Sequence, residues 1–178
     1  MSESDTAVAA WKESIFQVLK QGQIKQVAYV PDAGHAHVIN RAHDDPDMDT
    51  VVLTTEEEGV ALGCGAWIGG QRSVLLMQSS GVGNCVNMFS LLQSCQIPFL
   101  TLITMRGEYA EFNAWQTPMS KATEGVLTAM GFRVLRVTDP AEVSEVVDAA
   151  LDSAFVAGEQ VAVLISQRLI GRKKWIKD

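Results

Sequence analysis

Apolar side chains recur at Val8, Trp11, Ile15, Val18 and Leu19, the three-and-four spacing that gathers them on one helical face, and the pattern stops at Gly22 as a helix end would. The period then changes. Gln26-Val27-Ala28-Tyr29-Val30 is a short apolar run halted by Pro31, which predicts a strand, and residues Ala33 to Ala42 predict a second helix before the acidic turn Asp44-Asp45-Pro46-Asp47. The alternation continues with strand Asp49 to Leu53 and helix Thr55 to Ile68, then strand Ser73 to Met77 and a helix from about Val82 to Gln93, then a strong strand from Ile97 to Thr104. Residues Arg106 to Pro118, with Gly107 and mixed aromatic and polar side chains, read as a functional loop. A helix from Ser120 to Met130 closing at Gly131, a strand Phe132 to Val137, a helix opened by Asp139-Pro140-Ala141-Glu142 and a strand Val161 to Ile165 complete the pattern. The apolar strands are expected to be buried on both faces. The predicted fold class is therefore α/β and doubly wound, a mainly parallel sheet with helices on both faces and ligand sites beyond the strand carboxyl ends.

Composition narrows the function classes. A chain of 178 residues with 47% hydrophobic content can bury one substantial core, so a single domain over 1–178 is expected. The net charge of -7 disfavours phosphate backbones, which excludes nucleic acid as an expected partner. No apolar run reaches membrane-spanning length and Met1-Ser2-Glu3-Ser4-Asp5 lacks the basic and apolar start of a signal peptide, so a soluble cytoplasmic protein with no membrane partner is expected. Cys64, Cys85 and Cys95 form no CxxC pair and are expected to be buried reduced thiols. Arg168, Arg172, Lys173, Lys174 and Lys177 give the chain a basic end, read as a solvated tail, with docking of an acidic partner surface as the alternative.

Candidate chemistry lies where strands end. Thr54-Thr55-Glu56-Glu57-Glu58-Gly59 places three consecutive acids at a helix start, where Thr55 and Glu58 have capping-box spacing and carboxylates meet the helix dipole favourably. Gly59, Gly63 and Gly65 weaken that helix, which implies close approach of a neighbouring strand or a ligand. A second segment, Met77-Gln78-Ser79-Ser80-Gly81-Val82-Gly83-Asn84, follows an apolar strand and by itself reads as a tight turn with a capping hydroxyl. It lacks a third glycine and a Gly-Lys-Ser/Thr, so nucleotide binding is not inferred. With no Gly-x-Ser-x-Gly elbow and only His35, His37 and His43 as histidines, a hydrolytic triad is poorly supported.

Taken together, Glu56-Glu57-Glu58-Gly59-Val60 and Gln78 to Asn84 resemble segments of thiamine diphosphate decarboxylases, closest to the sulfopyruvate and phosphonopyruvate decarboxylases. The resemblance continues in order through Ser90-Leu91-Leu92, Ile97-Pro98, Thr104-Met105-Arg106-Gly107-Glu108 and Trp115-Gln116-Thr117-Pro118. It implies a fold of the pyrimidine-binding domain type and a subunit of alpha kind in a two-chain 2-oxoacid decarboxylase. It also implies that an acid ahead of the small-residue helix contacts the cofactor's aminopyrimidine ring, a role that falls on Glu58 with Glu57 as fallback. Ser80, Gly81, Gly83 and Asn84 would line the cofactor, and His35, Arg106 and Gln116 the substrate, with Lys121 a further source of positive charge. No Gly-Asp-Gly with a following Asn occurs, so this chain carries no metal ligand, and magnesium is expected on a diphosphate-binding beta subunit. Self-association is expected as well. Sulfopyruvate is the favoured substrate on the split architecture; phosphonopyruvate, another 2-oxoacid, or a noncatalytic binding or regulatory module on the same fold are the alternatives.

Overall fold

The computed structural model describes residues 3–171, with side chains from residue 10 onward, so the side chain of Val8 and the basic residues Arg172, Lys173, Lys174 and Lys177 lie outside the described residues. The apolar runs become six strands of one sheet: β1 (Ile24–Tyr29), β2 (Asp49–Val52), β3 (Arg72–Gln78), β4 (Phe99–Thr104), β5 (Arg133–Val137) and β6 (Gln160–Ile165). Their order is β2-β1-β3-β4-β6-β5, and every neighbouring pair is parallel. Parallel neighbours need long crossovers, and helices supply them. These are α1 (Glu3–Gln21), α2 (Ala36–His43), α3 (Glu56–Ile68), α4 (Ser79–Cys85), α5 (Phe89–Cys95), α6 (Thr117–Ala129), α7 (Val143–Phe155) and the short α8 (Gln167–Ile170).

Strand alternation divides the interior in two. Val74 and Leu76 of β3, Leu100 and Leu102 of β4, and Val161, Val163 and Ile165 of β6 face Trp11, Ile15 and Leu19 of α1, Val38 of α2 and Val147 and Leu151 of α7. Leu75, Met77, Phe99, Ile103 and Leu164 point the other way, into a second core with Val60 and Cys64 of α3, Val82 and Cys85 of α4, Phe89 and Leu92 of α5 and Leu127 of α6. The central strands β3, β4 and β6 are buried almost throughout, whereas the edge strands β2 and β5 are largely exposed or half-buried. The expected doubly wound architecture is the one observed. No described helix is long and apolar enough to cross a membrane.

Three local expectations are corrected. The helix expected from Val82 to Gln93 is two, because α4 starts at Ser79 directly off β3 and the chain breaks after Cys85 before α5. Helix α7 starts at Val143; Asp139 caps only a preceding turn, its carboxylate accepting from the Ala141 amide at 2.9 Å. Cys64 and Cys85 are buried, but Cys95, at the end of α5, is exposed.

Candidate functional site

From β1 the chain passes outward to edge strand β2, then returns across it to place β3 on the other side of β1. That reversal opens a crevice at the strand carboxyl ends, the position where doubly wound sheets bind ligands. The α3 N-terminus, the β3–α4 junction and the residues after β1 and β4 meet there.

The three acids of α3 are successive helical positions, so they point about 100° apart and meet different surroundings. Glu58 turns back along its own helix: its carboxylate accepts from the amides of Thr54 at 2.8 Å and Thr55 at 3.4 Å, completing the capping box while remaining exposed. Glu57 is exposed and its carboxylate has no hydrogen bond among the described residues. Glu56 is half-buried and reaches across to α4, where its carboxylate accepts from Asn84 Nδ2 at 2.7 Å. It lies so flat on Gly81 that a Cβ there would come within 2.5 Å of its Cγ, Cδ and Oε1. Burial pushes the Cys85 thiol pKa up, with the charges of Glu56 and Glu57 adding to the effect. Glu56 is therefore the acid that joins the two motif segments, and sequence reasoning passed over it because Glu58 stands next to Gly59. The signal that finds it is the glycine at Gly81, which makes room for a side chain rather than for a turn. Gly59 and Gly63 serve the fold instead, since a Cβ at either would collide with Leu75 and Leu53 or with Phe99.

Ser80 is half-buried, while Gly83 and Asn84 are exposed. Two side-chain oxygens nearby in the fold, Gln78 Oε1 at the β3–α4 junction and Gln116 Oε1 in a 3-10 turn ahead of α6, are buried without a hydrogen-bond partner among the described residues. An orphaned buried acceptor costs about 1–3 kcal/mol, so each is suited to a donor from outside the chain.

Across the ends of β1, β4 and β6 lies a cleft of about 200 Å³ lined by Lys12, Asp32, Ala33, Gly34, Arg106, Gln167, Ile170 and Gly171. Arg106 is buried and held by Glu111, whose carboxylate accepts from Nε at 2.8 Å and Nη2 at 3.0 Å. Glu111 also accepts from the amides of Gly107 and Asn113 and from Gln167 Nε2, so the loop is anchored by one buried carboxylate. Burial opposes its charge, but the Arg106 hydrogen bonds, the Asn113 amide and Gln167 prevail and lower its pKa to about 2. The Arg106 amide donates to Ser79 Oγ at 3.1 Å, tying this cleft to the α4 segment. Asp32, which sequence reasoning missed, accepts from Thr104 Oγ1 at 2.7 Å and from the Gly34 amide at 3.0 Å.

His35 does not join Arg106 in the cleft. It is 1% exposed, its Nε2 is 3.0 Å from the Leu102 carbonyl oxygen, and burial holds its pKa below the usual imidazole range. The ring is a polar plug between α2 and the sheet. Lys121 is exposed on α6, outside the cleft lining, and Arg168 stacks over Tyr109 at 5.2 Å.

No protein-family model matches the chain. It is 31% identical over 154 residues to the sulfopyruvate decarboxylase subunit alpha of Methanococcus maripaludis, covering 86% of this chain and 92% of that one. The corresponding subunit of Methanothermobacter thermautotrophicus is 32% identical, with 86% and 93% covered. This chain belongs to the sulfopyruvate decarboxylase alpha-subunit family. The family assignment agrees with a weaker likeness to the phosphonopyruvate decarboxylase of Streptomyces viridochromogenes, 37% identical over 89 residues that make up 49% of this chain and 22% of that one. Among solved structures, 2-oxoglutarate:ferredoxin oxidoreductase from Magnetococcus marinus superposes with a TM-score of 0.73 at 17% identity, covering 92% of this chain and 31% of that chain. The alpha-subunit family fold is thus also found as part of a much longer oxidoreductase chain.

Proposed function

We propose that the protein is the alpha subunit of a two-subunit, thiamine diphosphate-dependent 2-oxoacid decarboxylase that converts sulfopyruvate to sulfoacetaldehyde and carbon dioxide. In the net reaction the bond from the carboxyl carbon to the keto carbon breaks and a proton takes the carboxyl group's place. The observation that carries the reading is the half-buried Glu56, clasped between the α3 N-terminus and Gly81 and Asn84 of α4. It stands in a chain whose relatives of like length are named as alpha subunits of this enzyme.

The residues present fit an aminopyrimidine ring. Such a ring offers amine donors and ring nitrogens, and the crevice offers the Glu56 carboxyl and the orphaned acceptors Gln78 Oε1 and Gln116 Oε1. Glu56 would hold the proton shared with the ring nitrogen, with Ser80, Gly81, Gly83 and Asn84 forming the surrounding wall. The expected role of Glu58 passes to Glu56 in this proposal, because the carboxylate of Glu58 is committed to its own helix start. Bound thiamine diphosphate supplies the carbon nucleophile and the electron sink that loss of carbon dioxide from a 2-oxoacid requires. This chain's part is to hold the ring, keep the relay proton and orient the oxoacid through Arg106 and Gln116. The diphosphate and its magnesium fall to a beta subunit, consistent with a match to only 22% of the longer phosphonopyruvate decarboxylase. Cytoplasmic location, one domain over 1–178 and self-association beside the beta subunit belong to the same proposal.

The test combines the purified chain with its beta subunit, thiamine diphosphate and magnesium and follows carbon dioxide release from sulfopyruvate and phosphonopyruvate. Release that needs both chains and falls at least a hundredfold in Glu56→Gln is expected, on the scale of losing a proton-transfer group. Retained activity in Glu56→Gln with loss in Glu58→Gln would return the relay to Glu58. No release from either oxoacid would leave a binding or regulatory module.

A further inference from the structure

The cleft at the ends of β1, β4 and β6 is not accounted for by the acid and glycine machinery around Glu56. Its charge pattern is unusual for this chain. The protein carries a net charge of -7, yet two of the three charged side chains lining the cleft are cations, Lys12 and Arg106, against the single carboxylate of Asp32. Arg106 spends Nε and Nη2 on Glu111, which fixes the plane of the guanidinium and leaves Nη1 without an acceptor among the described residues. Lys12 is half-buried, and its ammonium has neither a hydrogen bond nor a carboxylate partner among the described residues; it lies over the neighbouring Trp11 ring at 5.4 Å, and its charge reaches His35. By contrast Lys20, Arg41, Arg133 and Arg136 each have a carboxylate. An ammonium without an ion-pair partner among the described residues, lining the same cleft as a guanidinium whose plane Glu111 fixes, is an arrangement for a small anion. The cleft volume of about 200 Å³ suits a molecule of a few heavy atoms and is below the size of a nucleotide pocket. Its floor is fixed too, because a Cβ at Gly34 would come within 2.6 Å of Thr104 Cγ2 and 2.8 Å of Asp32 Oδ2. The link from the Arg106 amide to Ser79 Oγ, two residues before Gly81, sets this cleft beside the Glu56 site.

We infer that this cleft receives the strongly acidic group at the end of the oxoacid remote from the ketone, a sulfonate or a phosphonate, and that Lys12 on α1 is the residue that selects for it. The inference rests on the decarboxylase reading for its substrate, but the anion site has a readout of its own. Two measurements are made on the wild type, Lys12→Met, Lys12→Gln and Lys12→Arg. In the assembled enzyme, KM is compared for sulfopyruvate, phosphonopyruvate and pyruvate, the last lacking the remote acid. In the isolated chain, sulfoacetate, which has no ketone to react, is titrated while the Gly34 and Arg106 amide resonances are followed. Loss of Lys12 is expected to raise KM for the two acid-bearing substrates about tenfold or more, leave pyruvate unchanged and abolish the sulfoacetate shifts, with Lys12→Arg restoring most of each. A larger effect on one substrate than on the other would identify which acid the cleft prefers. Equal effects on all three substrates, or none, with the wild type active, would overturn the inference while the decarboxylase reading stands. Wild-type inactivity on every oxoacid together with Lys12-dependent sulfoacetate shifts would uphold the anion site and remove the decarboxylase reading. Absence of sulfoacetate shifts in the wild type, with no change in KM, would overturn the inference by both routes.

Discussion

Identical side chains two residues apart do different work here. Glu58 is a helix cap, and Glu58→Ala should lower unfolding stability by about 1 kcal/mol, measured by urea denaturation. Decarboxylation should fall little in that variant. Glu56 should behave in the opposite way, and Gly81→Ala tests it from the other side: its new Cβ would meet the Glu56 carboxylate, so activity should fall at least tenfold while the urea midpoint moves little. An unchanged rate in Gly81→Ala would remove Glu56 from the site. The family resemblance pointed to an acid at this helix start, because motif order is written along the chain. It did not show which of the three, since that depends on where α4 lies beside α3. Glu111 makes the same point, as nothing local marks it as the anchor of the loop from Arg106 to Asn113. Glu111→Ala leaves the Arg106 guanidinium buried without its counter-charge and should cost about 3 kcal/mol of stability.

At the scale of elements, helix α3 contains glycines with opposite reasons. Gly59 exists for the sheet: Gly59→Ala pushes a methyl toward Leu75 and Leu53 and should destabilise by about 1–2 kcal/mol, even though alanine is the better helix former. Gly65 is exposed and nothing lies within 4 Å of its would-be Cβ, so Gly65→Ala should stabilise the isolated chain by about 1 kcal/mol. Thermal melts of the two variants check the pair. The order and type of the elements were legible because core strands such as Phe99–Thr104 are apolar throughout and the helices keep their own period. The α4–α5 break was not, because Val82 to Gln93 carries a helical pattern across it while in the fold α4 packs against β3 and α6. Cys95 misled for a related reason: an apolar neighbourhood in sequence does not fix which side of a helix end faces solvent.

For the whole molecule, acid sensitivity follows from groups whose pKa is depressed by folding. The unfolded chain binds more protons than the folded one between each folded value and its ordinary value, so stability rises with pH through that window. For buried His35 the loss begins as pH falls below 6.5. For Glu13, held by Gln17, His37 and Arg41, and for Glu111, held by Arg106 against its burial, it continues from 4.5 down through about 2. Denaturation midpoints across pH 3 to 8 should therefore decline in two stages, and His35→Gln should flatten the upper one; an unaltered upper stage in that variant would be the contrary result. The sequence by itself determined the doubly wound sheet and the family, and pointed to the strand ends for the candidate site. These rest on period, on the positions of glycine and proline, and on motif order, all of which are written along the chain. Tertiary structure decided which acid meets the second motif, that His35 plugs the sheet, and that Lys12 lines one cleft with Arg106. Those outcomes depend on the angle at which one element faces another, and that angle is set by the packed core as a whole.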